Sequence, residues 1–535
     1  MHAQGPFLRS QESKPTTLRR RCDGWKPLLT LTLALLGSSC SLVATSDVAR
    51  GLGSPCTSDA DCQAARCVAP QSATSVTGSI CAISCSADTD CPKGAVCAKS
   101  LCQTPLSVGV ALTGNVTELE GWTYAHVQAL DKVASELGYI KLDKRFGLIP
   151  GNVLNDIVGI AQTNQLVLGN TFDYVPDFKK VAMNSPKNNF VCVDDGVYAL
   201  GTANFNTYWV RREEAWYVAG KVAATIAKSR LGVISAFINP ETVLDVNAFA
   251  LGAQSVKPGI VVEVRYIGFW YDINGTPTFS YTHKGGLTKT YYREEYLAAQ
   301  LIDSGCEVIA HLGNTQRSVR LIESLRSAGL ARSDQYSFAN DNQTGYLDGA
   351  GQSIKSCVGA IYENWQPLYR DLFEAIHRGV YDPSVQLYYD ITDTDASSTG
   401  VSINPGGPGD SIAERKLTQD LARSTNPGPR QRVLLGPYTV NGQRDRDLDG
   451  IPDSDQRVAS GEVISLAEAS KLCWYVQGVV EKTVLSDPTS PDRQALVPGG
   501  LVPGAKTPGS RVSYPTDDQL VVPTGLSGEC LKNTF

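Results

Sequence analysis

From about residue 106 onward, short apolar stretches alternate with stretches of helical periodicity over about 270 residues. The stretches predicted to be strands are 107–112, 166–170, 188–195, 231–237, 261–268, 306–313, 336–340 and 358–364. The stretches predicted to be helices are 122–137, 211–228, 241–256 and, last, 465–482. Strands that alternate with helices form parallel sheets with right-handed crossovers, so the predicted fold class is α/β. Ligands of such sheets bind at the carboxyl ends of the strands.

Length and charge narrow the class of protein further. The chain has 535 residues, enough for two to four domains, and 42% of them are hydrophobic. Its formal net charge is −6 and its basic residues are dispersed. Nucleic acid is therefore not a predicted partner.

An export signal is predicted at the N-terminus. Arg19–Arg21 precede an apolar core at 28–36, and Cys40 follows a run of small residues. This order resembles a bacterial lipoprotein signal with Cys40 as the lipidated residue. Secretion after cleavage and an uncleaved anchor are the alternatives. Residues 41–55 are predicted to be a tether.

Eight of the fifteen cysteines lie within 56–103, and the seven-residue segments 56–62 and 85–91 resemble each other. They are Cys56, Cys62, Cys67, Cys81, Cys85, Cys91, Cys97 and Cys102. So short a segment cannot bury a sizeable core, which predicts a module held by disulfides rather than by zinc. About 105 pairings are possible, so the connectivity stays open. The aspartates of each repeat are predicted to be turn residues, with calcium binding as the alternative.

A second acidic motif, at 443–457, alternates carboxylates and ends in a glycine turn. Its predicted calcium ligands are Asp445, Asp447, Asp449, Asp453 and Asp455. Hard cations require several oxygens from one short loop, and the spacing resembles thrombospondin type 3 and EF-hand loops. A solvated acidic loop is the alternative.

Three separated motifs carry a family resemblance: GWTYAH at 121–126, RREEAWYVAG at 211–220 and FWYD at 269–272. Together they resemble the basic membrane protein family of ABC-transporter substrate-binding lipoproteins, relatives of the purine nucleoside receptor. The resemblance covers about 105–483. One departure is Glu363, which stands where the family has a tryptophan and where nucleoside receptors carry a lysine.

The resemblance implies a two-lobe, type I periplasmic binding protein-like fold that closes on its ligand about a hinge. The binding domain would span 104–483, with lobe one at 104–205 and 336–365 and lobe two at 206–335. The tail, 484–535, is rich in proline and glycine and is predicted to be disordered.

The predicted ligand-binding residues follow strands or open helices. Aromatic rings there can stack on a base, and carboxylates can accept hydrogen bonds from sugar hydroxyls. They are Glu120, Trp122, Tyr124, Thr171, Phe172, Asp194, Glu214, Trp270, Asp272, Asn314, Asp341, Asn364 and Trp365. For each of them, core packing or helix capping is the alternative.

The predicted function is capture of a small ligand, a purine nucleoside or related compound, for an ABC permease in the bacterial cell envelope. A surface sensor or interaction protein that kept the fold without transport is the alternative. An enzyme is disfavoured, because the sequence has no Gly-x-Ser-x-Gly, Walker or His-Glu-x-x-His motif.

Overall fold

The computed structural model describes thirteen ranges of the chain. They are 52–62, 65–69, 79–114, 120–194, 203–236, 240–268, 270–271, 276–385, 387–389, 398–408, 438–439, 456–458 and 475–481. Cys40, the Asp-rich motif at 443–457 and the tail at 484–535 fall outside them, apart from the short backbone stretch 456–458. Among the described helices, none combines the length and apolarity that crossing a membrane requires.

The cysteine-rich module is a small antiparallel sheet. Its strands are β1 (Pro55–Cys56), β2 (Arg66–Val68), β3 (Ser79–Ser84), β4 (Val96–Ala98) and β5 (Leu101–Gln103). All eight cysteines pair, as Cys56–Cys67, Cys62–Cys81, Cys85–Cys97 and Cys91–Cys102. First pairs with third and second with fourth in each half, which confirms the disulfide module and its internal repeat.

The aspartates of the two repeats are turn residues. In the first repeat, Asp61 accepts backbone N–H bonds from Thr57 and Ser58 at 2.6 and 3.0 Å. Asp90 accepts the equivalent bonds at 2.7 and 2.9 Å in the second. These carboxylates already serve as backbone acceptors, which favours the turn interpretation over calcium binding.

The first lobe is built on a six-stranded parallel sheet. Its elements up to the lobe crossing are β6 (Leu106–Ala111), α1 (Gly121–Leu137), β7 (Ile140–Arg145), α2 (Leu154–Ala161), β8 (Leu166–Gly169), α3 (Val175–Asn184), β9 (Asn189–Val193) and β10 (Phe205–Val210).

The second lobe follows with a seven-stranded sheet. Its first elements are α4 (Arg212–Ile226), β11 (Arg230–Ser235), α5 (Pro240–Val256), β12 (Val261–Tyr266), β13 (Phe279–Thr282), β14 (Thr288–Tyr291), α6 (Arg293–Asp303), β15 (Val308–His311), α7 (Arg317–Ser327), β16 (Tyr336–Ala339) and β17 (Cys357–Glu363). β13 and β14 form a hairpin outside the main sheet.

The chain then returns to the first lobe and crosses back. The remaining elements are α8 (Gln366–His377), β18 (Leu387–Tyr389), β19 (Thr399–Ile403), β20 (Tyr438–Thr439), β21 (Gln456–Val458) and β22 (Val479–Glu481). α8 packs on the first lobe and β18 joins its sheet, whereas β19 and β22 join the second sheet. Strand orders are β18-β10-β9-β8-β6-β7 and β19-β17-β16-β15-β11-β12-β22.

Each sheet has the doubly wound order, in which the first strand of the lobe lies between the next two. β6 lies between β7 and β8, and β11 lies between β12 and β15. Only β19 runs antiparallel in the second sheet. The fold class is therefore the predicted two-lobe α/β architecture, preceded by a disulfide-rich module. Both carboxyl edges carry a switch point, where such sheets bind ligands.

Two predicted assignments are wrong. Residues 336–365 were expected in lobe one, but β16 and β17 extend the second sheet, because β16 pairs in parallel with β15 and β17 pairs in parallel with β16. The helix expected at 465–482 does not reach its predicted end: Val479–Glu481 is a strand that pairs with β12. The apolar residues of this segment fit a buried strand at the edge of a sheet as well as a helix. Hydrophobic periodicity alone does not distinguish the two.

The disulfide module packs against the first lobe. Ala98 of β4 lies in that lobe's hydrophobic cluster, with Leu106 and Leu137. A Cβ atom on Gly138, which follows α1, would lie 3.2 Å from the Cβ of Ala98. The described part of the module is thus seated on the binding domain.

Close packing of α4 on α5 supports the second lobe. A Cβ atom on Gly252 would lie 1.9 Å from the carbonyl oxygen of Tyr217. We expect Gly252→Ala to lower the free energy of unfolding by about 1–3 kcal/mol, because two helix backbones must separate. Chemical denaturation measures this. Gly349→Ala, where a Cβ meets nothing within 4 Å, is the control and should change little.

Candidate functional site

The carboxyl edges of the two sheets face each other across a lobe-to-lobe contact. Gly121, which opens α1, has φ +79°, and a Cβ there would lie 2.1 Å from the carbonyl oxygen of Asn314. Asn314 follows β15 of the second lobe. The absence of a side chain at Gly121 is therefore what lets the two lobes approach here.

Glu120 joins the lobes beside this contact. Its carboxylate accepts a 3.2 Å bond from the backbone N–H of Gln316 and pairs with Arg320 at 2.5 and 3.0 Å. Both partners belong to the second lobe. Glu120 was predicted to contact ligand, but both of its carboxylate oxygens bond to residues of the second lobe.

Trp122 lies at the centre of an aromatic cluster. Its Nε1 donates to the carbonyl oxygen of Asn170 at 2.6 Å, which fixes the half-buried ring. Its ring centroid lies 5.1 Å from that of Trp365 and 4.8 Å from that of His126. The guanidinium carbon of Arg212, from the second lobe, lies 5.9 Å from the ring centroid. Trp122 therefore borders both lobes.

His126 and Trp365 form the wall behind Trp122. Their rings stack at 4.2 Å, and His126 Nδ1 lies 2.5 Å from the hydroxyl of Tyr369. Burial lowers the pKa of His126 well below its usual value, so the imidazole is neutral at neutral pH. Trp365 is 1% exposed, so within this geometry it supports Trp122 rather than offering a free face.

An acidic cluster surrounds Arg212 at the start of α4. Its Nε lies 2.8 Å from Asp245 and 3.5 Å from Glu363, and its Nη1 donates to Glu241 at 3.1 Å. The contact with Asp245 has the distance of an ion pair but not the direction of a hydrogen bond. One guanidinium thus faces several buried carboxylates.

Asp341 and Glu363 complete this cluster, at the ends of adjacent parallel strands. Asn340 Nδ2 donates to one oxygen of Asp341 at 2.6 Å. The other oxygen of Asp341 and both oxygens of Glu363 are buried without a hydrogen-bond donor among the described residues. Burial, and for Asp341 also the nearby charge of Glu363, raises the pKa of both carboxyl groups.

Several other predicted residues lie outside this cluster. The Tyr124 hydroxyl accepts a 2.6 Å bond from Gln128 on an exposed part of α1. Thr171 caps the short turn that contains Phe172. Asn364 accepts the backbone N–H of Gln366 at 3.3 Å and so caps α8.

Of the remaining predicted residues, three lie in the part of the chain that the structure describes. Asp194 and Glu214 are each 1% exposed, at the end of β9 and in the first turn of α4. Trp270 follows β12, is half-buried, and packs partly against the second-lobe core. Asp272 lies outside the described residues.

Arg212, Asp245 and His126 are site residues that sequence reasoning did not select. Arg212 lies in the RREEAWYVAG motif and His126 in the GWTYAH motif, so the family resemblance could have identified both. Asp245 had none: it lies in the middle of α5, and only the packing of α5 on α4 brings it to Arg212.

Comparison with known proteins finds a match to one family over part of the chain. A family model described as ABC transporter substrate-binding protein, PnrA-like, matches residues 107–280. This stretch spans the first lobe up to β10 and the start of the second. Over these residues the chain is similar to that family, which confirms the resemblance found in the sequence.

Two curated relatives each match over 269 residues at 28% identity, 49% of this chain. One is named a purine-binding protein of Brucella abortus, and the other is named as an ABC transporter glucose-binding protein of Haloferax volcanii. The match spans 66% and 59% of their lengths, respectively.

Solved structures are more distant. An ABC-transporter solute-binding protein from Conexibacter woesei has a TM-score of 0.46 and 16% identity, over 60% of this chain and 96% of that one. A periplasmic solute-binding protein from Actinobacillus succinogenes with bound D-allose has a TM-score of 0.40 and 12% identity, over 53% and 95%.

The contact at Gly121 predicts an effect on lobe closure. We expect Gly121→Ala to hold the lobes apart, because its Cβ would meet the backbone of Asn314. Small-angle scattering should show a larger radius of gyration. Gly151→Ala is a matched control: Gly151 also has a positive φ, of +79°, but open space around it. An equal change in both variants would contradict the prediction.

The raised pKa of Glu363 predicts pH-dependent stability. Because its folded pKa lies above the unfolded one, the group stabilises the fold at low pH and loses that effect as pH rises through the folded pKa. We expect Glu363→Gln to raise Tm at pH 8 by about 2–4 °C, equivalent to about 1 kcal/mol, and to change it little near pH 4. Differential scanning calorimetry tests this, with the surface variant Glu136→Gln as control.

Proposed function

We propose that this protein is an extracytoplasmic solute-binding protein that captures a small polar ring compound between its lobes and delivers it to an ABC permease. The observation that carries the proposal is the meeting of Trp122 from one lobe with Arg212 from the other, where Arg212 also interacts with Glu363 and Asp341. An aromatic face and hydrogen-bonding carboxylates at the junction of two lobes suit a ligand that has a ring and polar substituents.

A purine nucleoside is the first candidate ligand. Trp122 and Trp270 are half-buried aromatics, and stacking on such a ring is worth about 1–3 kcal/mol per base. Asp341 has a buried oxygen that could accept a hydroxyl hydrogen bond. The name of the Brucella abortus relative favours a purine.

A sugar is the second candidate. The name of the Haloferax volcanii relative refers to glucose, and the carboxylates suit vicinal hydroxyls as well as they suit ribose. Binding proceeds without chemistry in this proposal.

Two further features extend the proposal. Lipidation of Cys40 would tether the protein to a membrane surface in the periplasm or outside the cell, and two or more acyl chains anchor firmly. Calcium would bind the Asp-rich loop. A sensor that kept the binding fold without transport is the competing role, and unchanged ligand uptake in a deletion strain would favour it.

A ligand screen tests the proposal. The full chain, freed of co-purified ligand, is screened by thermal shift against nucleosides, bases and sugars. A ligand at about 100 times its Kd should stabilise the protein by about 2.7 kcal/mol. We expect Asp341→Asn to weaken binding at least about tenfold, because a hydroxyl then loses a charged acceptor.

The control is Asp334→Asn, on the surface of the second lobe, which should bind normally. If no nucleoside, base or sugar shifts a protein shown to be folded, the proposed ligand class is wrong.

A further inference from the structure

We infer that the ligand carries a cationic nitrogen, such as a protonated amine, and that Asp341 and Glu363 bind it. This inference rests on the proposed function and specifies the chemical class of ligand for the same site. A neutral nucleoside or sugar would bind less tightly than its aminated counterpart.

The first argument is the balance of charge. The charges that act on Asp245 and Asp341 come from the carboxylates of Glu213, Glu241 and Glu363 and from one guanidinium, that of Arg212. Glu213 is itself paired with Arg211. Arg212 makes its closest contacts with Asp245 and Glu241. Among the described residues, the single guanidinium of Arg212 is therefore shared with Asp341 and Glu363 as well, and the carboxyl groups around it outnumber it.

The second argument is hydrogen bonding. Asp341 is 1% exposed and Glu363 is 5% exposed. One oxygen of Asp341 and both of Glu363 have no donor among the described residues. Buried acceptors without donors cost about 1–3 kcal/mol each and more when charged, so a ligand that supplies donors gains from satisfying them.

The third argument separates an ammonium group from a hydroxyl. An ammonium has three N–H donors and a positive charge, so it can satisfy several carboxylate oxygens and offset their repulsion together. A hydroxyl has one donor and no charge. Hydrogen bonds between charged groups are roughly twice as strong as neutral ones, which favours the ammonium at this site.

Paired probes test the inference by isothermal titration calorimetry on the full chain. Adenosine is compared with 5′-amino-5′-deoxyadenosine, and D-glucose with D-glucosamine. In each pair an amine replaces one hydroxyl and the ring is kept. We expect the amine of at least one pair to bind about tenfold or more tightly than its parent.

The affinity for an aminated ligand should change with pH in a direction that the affinity for a neutral ligand does not. Because the carboxyl pKa values of Asp341 and Glu363 are raised, part of the population is protonated at low pH. Affinity for the aminated probe should rise with pH as the carboxyl groups ionise, as long as the pH stays below the pKa of the probe's amine. Affinity for the parent should stay flat or fall.

Isosteric variants distinguish recognition from structural support. Glu363→Gln should bring the amine and its parent to within about twofold of each other, whereas a merely structural role would weaken both equally. Asp334→Asn, a surface change, should keep the preference. If Glu363→Gln does not fold, the pH series on the unaltered protein gives the same decision.

Two other outcomes are distinguishable. If a parent compound binds as tightly as its amine across the pH range, the inference is wrong and the proposed function stands. If neither member of either pair binds a folded protein, the proposed ligand class itself fails, and the inference fails with it.

Discussion

The guanidinium of Arg212 organises the site at the junction of the lobes. It opens the first helix after the chain crosses from one sheet to the other, so its position is set by both lobes. On one side it faces the ring of Trp122, and on the other it holds Asp245 and Glu241. Buried charges persist only where partners compensate them, and Arg212 is the guanidinium around which these carboxylates gather.

Around this cluster the structure separates rigid support from ligand-facing chemistry. The first lobe presents Trp122 on a stacked wall of His126 and Trp365, whose hydrogen bonds and burial hold it in one geometry. The second lobe presents carboxylates at the ends of β16 and β17 with oxygens still unsatisfied. Rigid aromatics paired with unsatisfied polar groups are the arrangement expected of a site whose energetics are completed by a ligand.

The disulfide module contributes by a different principle. Its halves repeat one cysteine pattern and one pairing, so each small sheet is held covalently where hydrophobic burial is insufficient. It packs on the first lobe through Ala98 and Pro55, on the side formed by the C-terminal ends of α1 and α8, where Cβ atoms on Gly138 and Gly379 would meet them. The site lies at the opposite, N-terminal ends of these helices, beside Trp122 and Trp365.

The sequence by itself determined the α/β class, most strand positions, the disulfide module and the family resemblance, because period, spacing and short motifs are local properties. It also marked Trp122, Asp341 and the substitution at Glu363. Only the tertiary structure decided that β16 and β17 extend the second sheet, since strand pairing depends on contacts distant in sequence. It likewise decided that Glu120 bridges the lobes and that Asp245 reaches Arg212. Those roles depend on which elements pack together. Hydrophobic periodicity identifies the buried face of a helix but not the residues that this face contacts.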